Sequence, residues 1–312
     1  PNSFGRYDWA RWKNRAITDG FEPGSIFKVV LAGVALETGT VDPKDRFFCE
    51  NGSLQIGDRV IRDHEPYGLL TFREILKVSS NIGFYKIVQR VGRKPIEAVI
   101  EELGFGRKVG IDFPGEDPGF VRPASEWREI EFANLSFGQG IRVTPLQILR
   151  TFGVIAAGGL SVPPHFVSKV TTREGYLVWQ AEQRPRRILK AETAVVLTDM
   201  LQEATHEGGT GVLAQIPGYP VAGKTGTAQK VKNGRYSQTD HVSSFIGFAP
   251  AGDPRVAALV IVDEPRGEVY GGKVAAPAFR KIVWTALREL GVSPVPASES
   301  TPVGGEKNRG GL

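Results

Sequence analysis

The stretch Pro23-Gly24-Ser25-Ile26-Phe27-Lys28-Val29-Val30-Leu31-Ala32-Gly33-Val34-Ala35-Leu36 decides how this chain is read. From Ser25 to Leu36 it is apolar on all sides, and Lys28 is its only charged residue. A segment that is hydrophobic all round reads as a buried helix, with Gly39 as its stop. Ser25 and Lys28 are three apart at the start of that helix, so they share a face within one turn. A lysine in such surroundings loses hydration, which lowers its pKa and frees the neutral amine to act as a base. A serine hydroxyl is a poor nucleophile until a neighbouring base takes its proton. At a helix start the serine N–H also points toward where an oxyanion would form. The competing reading is a surface lysine whose head reaches water, and the pair alone does not decide between them.

Outward from this segment the elements are legible from their punctuation. Thr71 with Glu74 makes a capping-box pattern ahead of FREILKV, and a second helical pattern follows Asn81. Thr144-Pro145-Leu146-Gln147 opens a helix to about Ala157, with proline at the first helical position. Pro164 to Trp179 reads as a hairpin turning near Arg173-Glu174-Gly175. Ala191 to His206 reads as an amphipathic helix. Three strands are expected at Val221–Lys230, His241–Ala249 and Arg255–Val262, with Asn233-Gly234 turning between the first two. Val274 to Leu290 is the last expected helix. A helical middle followed by a strand meander capped by a helix predicts an α/β (α+β) fold. It consists of an antiparallel sheet flanked by helices, plus a mostly helical lobe. One domain is expected over 1–291, and residues 292–312, which lack aromatics, are expected to form a disordered tail.

Composition narrows the function classes. The 312 residues are 41% hydrophobic and 23% charged, which is ordinary globular material. The formal charge of +5 is spread along the chain rather than blocked, which argues against nucleic acid as a partner. A basic surface suits an acidic polymer or membrane headgroups equally. Cys49 is the only cysteine, so no intrachain disulfide forms. The uncharged run from Thr151 to Ser168 is broken by Gly158, Gly159, Pro163 and Pro164 and does not read as a membrane span. There is no signal-like start, and Met200 is the only methionine, so Pro1 is not read as a natural translation start. His64, His165, His206 and His241 have no ligand spacing, so no metal is expected. Asp63-His64-Glu65 reads as a solvated turn. Asp112 and Glu116, flanking Pro114-Gly115, also read as turn residues rather than paired acids, and Cys49 reads as a small packed side chain.

Two more motifs carry chemistry. Ser79-Ser80-Asn81 lies in a break between helical stretches, where a hydroxyl and an amide can both face a cleft. Lys224-Thr225-Gly226-Thr227 lies on an expected strand; the lysine offers a point charge for a carboxylate, and the glycine lets a substrate backbone approach. Each has an ordinary alternative, a plain turn for the first and a protected edge strand for the second. In this order, SxxK, SxN and KTG together are the signature of the β-lactamase and penicillin-binding protein superfamily. The segments RAITDGFEPGSIFK (15–28), LGFGRKVGIDFPGE (103–116), SFGQGIRVTPLQ (136–147), VAGKTGTAQ (221–229), SFIGFAP (244–250) and YGGKVAAPAF (270–279) extend the likeness. The chain resembles the transpeptidase domain of class B penicillin-binding proteins, of the division or sporulation type.

That resemblance implies a peptidoglycan D,D-transpeptidase that also takes β-lactams as substrate mimics. By position, Ser25 would attack the penultimate D-Ala carbonyl and Lys28 would take the serine proton. Ser79 would relay a proton to the departing D-Ala, and Asn81 would orient Lys28 and the peptide amide. Lys224 and Thr225 would hold the substrate carboxylate, helped by Thr227, with Gly226 between them. The N–H groups of Ser25 and Thr227 would form an oxyanion hole, typically worth about 3–4 kcal/mol per donor. No cofactor is implied. The implied partners are D-Ala-D-Ala stem peptides, β-lactams and, through regions outside this chain, cell-wall synthesis or division proteins. The implied location is the wall-facing side of the cytoplasmic membrane, on an anchor upstream of this chain. Family members place sheet strands before the SxxK helix, yet only 24 residues precede Ser25 here, so the sheet is expected to lack those strands. The Glu-x-x-Leu-Asn pattern of class A β-lactamases is missing, which favours transfer to an amine over fast hydrolysis. A β-lactam sensor or scaffold of the same fold, a D,D-carboxypeptidase and a β-lactamase are the alternatives within the superfamily.

A rival of a different class is present in the string. Gly218-Tyr219-Pro220-Val221-Ala222-Gly223-Lys224-Thr225 satisfies G-x-x-x-x-G-K-[ST], and Ala257 to Glu264 resembles a Walker B strand. A phosphate loop needs a strand before it and a helix starting at its lysine. Pro217 and Pro220 break the first requirement, and GTAQKVKNGRYSQ after Lys224 has strand and turn character.

Overall fold

The computed structural model describes residues 3–8, 11–232 and 234–295. Asn233 of the expected turn and residues 296–312 of the expected tail lie outside them. Helix α1 (Arg15–Thr18) precedes a 3-10 turn, Gly24–Phe27, which runs into helix α2 (Lys28–Glu37). Ser25 therefore sits on the 3-10 turn rather than on the α-helix, where side chains at i and i+3 eclipse and Lys28 comes into line with it. Every residue of α2 from Lys28 to Ala35 is buried, as an all-round apolar helix must be. Gly39, at φ +64°, donates its N–H to Leu36 and ends the helix.

Two small antiparallel pairs follow, which the sequence reading does not identify. They are β1 (Arg46–Phe48) with β4 (Leu69–Thr71), and β2 (Ser53–Ile56) with β3 (Arg59–Arg62). Helix α3 (Phe72–Val78) starts on the expected Thr71–Glu74 capping box, and α4 (Asn81–Val91) starts one residue after Ser80. Helices α5 (Arg93–Glu102) and α6 (Glu129–Leu135) complete the lobe with α7 (Pro145–Ala156), which carries the expected Thr144–Gln147 box. Phe27, Phe72, Phe84 and Phe152 are fully buried in one core with α2. Beyond α7 lie β5 (Leu160–Ser161), the expected hairpin as β6 (Lys169–Thr171) and β7 (Leu177–Gln180), and β8 (Arg186–Arg187). Helix α8 (Ala191–Glu203) then packs against both α2 and the sheet.

The main sheet is antiparallel, in the order β11-β10-β9, from β9 (Ala222–Lys232), β10 (Arg235–Ala249) and β11 (Val256–Asp263). Its register sets Ser244 opposite Gly226 and Ile246 opposite Lys224. Because strand side chains alternate between faces, β10 feeds two cores. Phe245 and Ala249 pack with Phe279, Val283 and Leu287 of α10 (Ala276–Glu289), which follows the short α9 (Gly271–Val274). Ile246 and Phe248 join the helical core that holds α2. The sheet is thus a layer between α10 and the helical lobe, the fold class expected. All its strands follow Ser25; among the described residues before Ser25 there are α1, a 3-10 turn at Phe4–Arg6 and a single bridge from Phe21 to Val143. The last described residues stay attached, since Val292 donates to Leu287 and Val295 to Gly218. No helix among the described residues is long and apolar enough to cross a membrane.

Candidate active site

The turn carrying Ser25 is pressed against β9. Gly24 has φ +57°, and a Cβ there would stand 3.0 Å from the Ala228 Cβ. At Gly226 a Cβ would stand 2.4 Å from Ser244 Oγ and 3.0 Å from Ile26 Cγ2. Gly226 is buried, and its missing side chain makes room for the Ser25 turn. The Gly24 N–H donates to Gly138 O at 3.1 Å, fastening the turn from its other side. Ser25 is half-buried, and its hydroxyl has no hydrogen bond among the described residues, which leaves it open to a reactant.

Two buried lysines converge on Ser79. Lys28 Nζ donates to Ser79 O at 2.6 Å and to Asn81 Oδ1 at 2.7 Å, and lies 3.3 Å from Ser79 Oγ. Lys224 Nζ donates to the same Ser79 Oγ at 2.9 Å and to Thr225 O at 3.2 Å. Both lysines are fully buried, and neither has a carboxylate partner among the described residues. Burial, reinforced by the nearby Lys224 charge, holds the Lys28 amine well below the usual lysine range. Burial alone brings Lys224 down to about 7. Ser79, the shared contact, ends α3 in the left-handed region at φ 63°, ψ 36°, a conformation that typically costs a non-glycine residue about 1 kcal/mol or more. Strain is thus held where the two lysines meet.

Asp63 holds this loop in place, and sequence reasoning misses it. Far from being a solvated turn residue, its Oδ1 accepts from the Asn81 and Ile82 N–H groups and its Oδ2 from the Ser80 hydroxyl. Ser80 Oγ in turn accepts from Gly83 N, so the first N–H groups of α4 are satisfied, two of them by a carboxylate from another element. His64 and Glu65 beside it are exposed, as a turn would have them. Thr210 and Gly271 are missed too: the Thr225 and Thr210 hydroxyls lie 2.7 Å apart, and Thr227 Oγ1 accepts from Gly271 N at 3.0 Å. No local spacing in the string points to these partners, because each lies far from its contact along the chain. Asp112 accepts from Phe166 and Val167 N–H groups, and Glu116 from Val109 and Gly110; both anchor backbone and neither is a paired acid. Cys49 is buried and packed, with its thiol pushed up by burial.

Residues 1–283 match the family described as penicillin binding protein transpeptidase domain. The chain belongs to that family. It is 38% identical over 295 residues to the probable peptidoglycan D,D-transpeptidase PenA of Neisseria gonorrhoeae, covering 94% of this chain and 49% of that protein. It is 36% identical over 292 residues to stage V sporulation protein D of Bacillus subtilis, covering 90% of this chain and 44% of the relative. The chain therefore spans about half the length of these relatives. Among solved structures it resembles the apo transpeptidase domain of Burkholderia pseudomallei penicillin-binding protein 3, with TM-score 0.82 and 34% identity over 90% of this chain and 83% of that one. It also resembles Mycobacterium tuberculosis penicillin-binding protein 3 complexed with aztreonam, with TM-score 0.85 and 31% identity over 93% of this chain and 68% of that one.

The penicillin-binding fold disposes of the phosphate-loop pattern. Strand β9 runs unbroken from Ala222 to Lys232, so no helix N-terminus meets Lys224, and the lysine is spent on Ser79. Asp263 and Glu264 at the end of the supposed Walker B strand pair with Lys230, at 2.9 and 2.8 Å.

Glu22, just ahead of the Ser25 turn, adds a further tie. Its Oε1 accepts from Gly140 N at 2.9 Å and from the Tyr236 hydroxyl at 3.4 Å, while Oε2 is buried without a partner. Burial raises its pKa above 4.5. A raised carboxyl pKa means that the acid form is favoured in the fold, so the stabilisation is full below the unfolded pKa and lost as pH rises through the folded one. Glu22→Gln keeps the neutral shape at every pH. Its melting temperature relative to the native chain should therefore climb as pH rises from about 4.5 upward; a pH-independent difference would contradict this. Asp63→Ala should lower the unfolding free energy in urea by about 3 kcal/mol, and Asp63→Asn, which keeps one acceptor, by roughly half as much. Unchanged midpoints would remove Asp63 from its role at α4.

Proposed function

We propose that this chain is the catalytic domain of a class B peptidoglycan D,D-transpeptidase that works through an acyl-enzyme on Ser25. The observation that carries the reading is the buried Lys28 amine, on the residue that caps the Ser25 turn and held by Asn81 and Ser79. A neutral amine there takes the proton from Ser25 Oγ as the oxygen attacks the penultimate D-Ala carbonyl. The carbonyl oxygen becomes an oxyanion facing the Ser25 and Thr227 N–H groups. As the tetrahedral intermediate collapses, the C–N bond breaks and Ser79 Oγ passes a proton to the leaving D-Ala, replenished from Lys28. Lys224 and the Thr225 hydroxyl hold the substrate carboxylate, with Thr227 beside them. An acceptor amine from a second stem peptide then attacks the ester, loses its proton to the same network and frees Ser25. A β-lactam follows the first half of this path and leaves Ser25 acylated, because its leaving group stays tethered.

The peptidoglycan D,D-transpeptidase and sporulation-protein relatives and the aztreonam complex of a structural neighbour support this reading. The same likeness supports a wall-facing location beside the cytoplasmic membrane, an anchor outside this chain, and cell-wall synthesis or division proteins as partners. Of the tail expected over 292–312, residues 292 and 295 are tied to the domain through Leu287 and Gly218, and residues 296–312 lie outside the described residues. Incubation with benzylpenicillin should add one penicilloyl mass to the chain and none to Ser25→Ala; stoichiometric labelling of that variant would remove Ser25 as nucleophile. With a D-Ala-D-Ala peptide and a D-amino acid acceptor, exchanged product should form. Acylation without exchange would favour a sensor, and hydrolysed peptide alone a carboxypeptidase. The acylation rate should fall as pH drops through the Lys28 pKa, because protonation removes the base. Carboxylate binding should weaken as pH rises above about 7, where Lys224 loses its charge. A rate that is flat on the acid side would make Lys28 structural.

A further inference from the structure

Hairpin β6–β7 stands apart from both hydrophobic cores. Its strands pair only with each other, and every residue in them is exposed. Yet β7 and the residue before it are apolar: Tyr176, Leu177, Val178 and Trp179 are 73, 59, 64 and 45% exposed. Val170 stands opposite Trp179 on one face. The register then shifts, leaving Val178 over, so Leu177 stands opposite Thr171 and points to the other face. At the base of the hairpin Phe166 and Val167 are exposed as well. Phe166 meets Phe113 edge to face with centroids 5.5 Å apart, and Asp112 accepts from the Phe166 and Val167 N–H groups. A soluble surface rarely leaves so many large apolar side chains together in water. The charge around them is mostly positive. Between 164 and 187, Lys169, Arg173, Arg184, Arg186 and Arg187 stand against Glu174 and Glu182. Lys169 and Arg173, on the hairpin itself, are exposed and have no ion pair among the described residues.

We propose that this hairpin docks on an anionic lipid surface, lying in the headgroup zone with Tyr176, Leu177, Val178 and Trp179 turned into it. The inference takes its setting from the wall-facing location proposed above and uses no step at Ser25. Two features favour lipid over a protein partner. A protein would cover one face of the hairpin, whereas its apolar side chains point to both, which suits a medium that surrounds the strand. Tyrosine and tryptophan also combine an apolar body with a polar tip, the combination that settles at the boundary between headgroups and acyl chains. The unpaired cations beside them meet lipid phosphates while their stems lie along the apolar surface. The free strand edges set the depth. Their unpaired N–H and C=O groups stay where water and headgroups can bond them, so the hairpin rests at the interface. Such a second attachment restrains how the domain is oriented and how far it stands from the membrane.

Flotation of the chain with vesicles of mixed phosphatidylcholine and phosphatidylglycerol tests this, with pure phosphatidylcholine as the uncharged comparison. The native chain should float with the mixed vesicles and less with the pure ones. Lys169→Gln together with Arg173→Gln should lower partition onto the mixed vesicles by about twentyfold, at about fivefold for each cation. Leu177→Ser together with Val178→Ser should lower it by about tenfold or more on both kinds of vesicle. Ile282→Ser, a comparably exposed change on α10, should leave binding unchanged. All these side chains are exposed, so the variants should keep the native melting temperature and benzylpenicillin labelling, which separates docking from folding. A native chain that stays unbound, or hairpin variants that bind as it does, would overturn the proposal. A concentration-dependent dimer in sedimentation, abolished by the hairpin variants while vesicles stay bare, would assign the hairpin to a second copy and overturn it too. Penicillin labelling without flotation would sink the docking and leave the transpeptidase reading intact; flotation without labelling would do the reverse.

Discussion

Two amines buried without a counter-ion, at positions 28 and 224, constrain everything around them. An ammonium carried into an apolar interior costs several kcal/mol, so the protein either pairs it or lowers its proton affinity. Here no carboxylate comes within ion-pair distance of either lysine among the described residues, and burial lowers the proton affinity of both, that of Lys224 to about 7. What the lysines do have is hydrogen-bond acceptors: the Ser79 carbonyl and hydroxyl, Asn81 Oδ1 and Thr225 O. A neutral amine so held keeps its lone pair in a fixed direction. A desolvation penalty thereby becomes the basicity that the proposed mechanism asks of Lys28.

The rest of the molecule supplies the geometry this requires. Helix α2 is apolar on every side because it is covered on every side, by α4, α5, α8 and the 3-10 turn at its start. Ser79 accepts a left-handed backbone so that its carbonyl and hydroxyl both face the lysines. Asp63 reaches from the end of β3 to satisfy the first N–H groups of α4, and so keeps Asn81 where it holds Lys28. Gly226 gives up a side chain so that the Ser25 turn can touch β9. These supports come from four separate stretches of chain, so no one element makes the site.

Where the determinants are local, the sequence reads well. The capping boxes at Thr71–Glu74 and Thr144–Gln147 close within one turn, and both helices start where those residues say. Strands β9, β10 and β11 follow the expected segments within a few residues except at the start of β10, which runs back to Arg235 and pairs with Lys232. The short pairs β1–β4 and β2–β3 go unread because three- and four-residue strands carry too little periodicity and depend on partners elsewhere. Asp63 is misjudged for the same reason. Its polar neighbours describe a turn, while its contacts at Ser80, Asn81 and Ile82 belong to another element.

The sequence by itself singled out Ser25 as a candidate nucleophile, Lys28 as a candidate base and the order of the three motifs. It did so because residue chemistry and i to i+3 spacing are properties of the string. It also carried the family likeness, since that resides in residue identity. Only the tertiary structure decided that Lys28 and Lys224 share one serine hydroxyl, that the Ser25 turn closes on Gly226 and that Asp63 is a support. Each of these joins residues far apart in the chain, or depends on how deeply a charge is withdrawn from water. Neither property exists until the chain has folded.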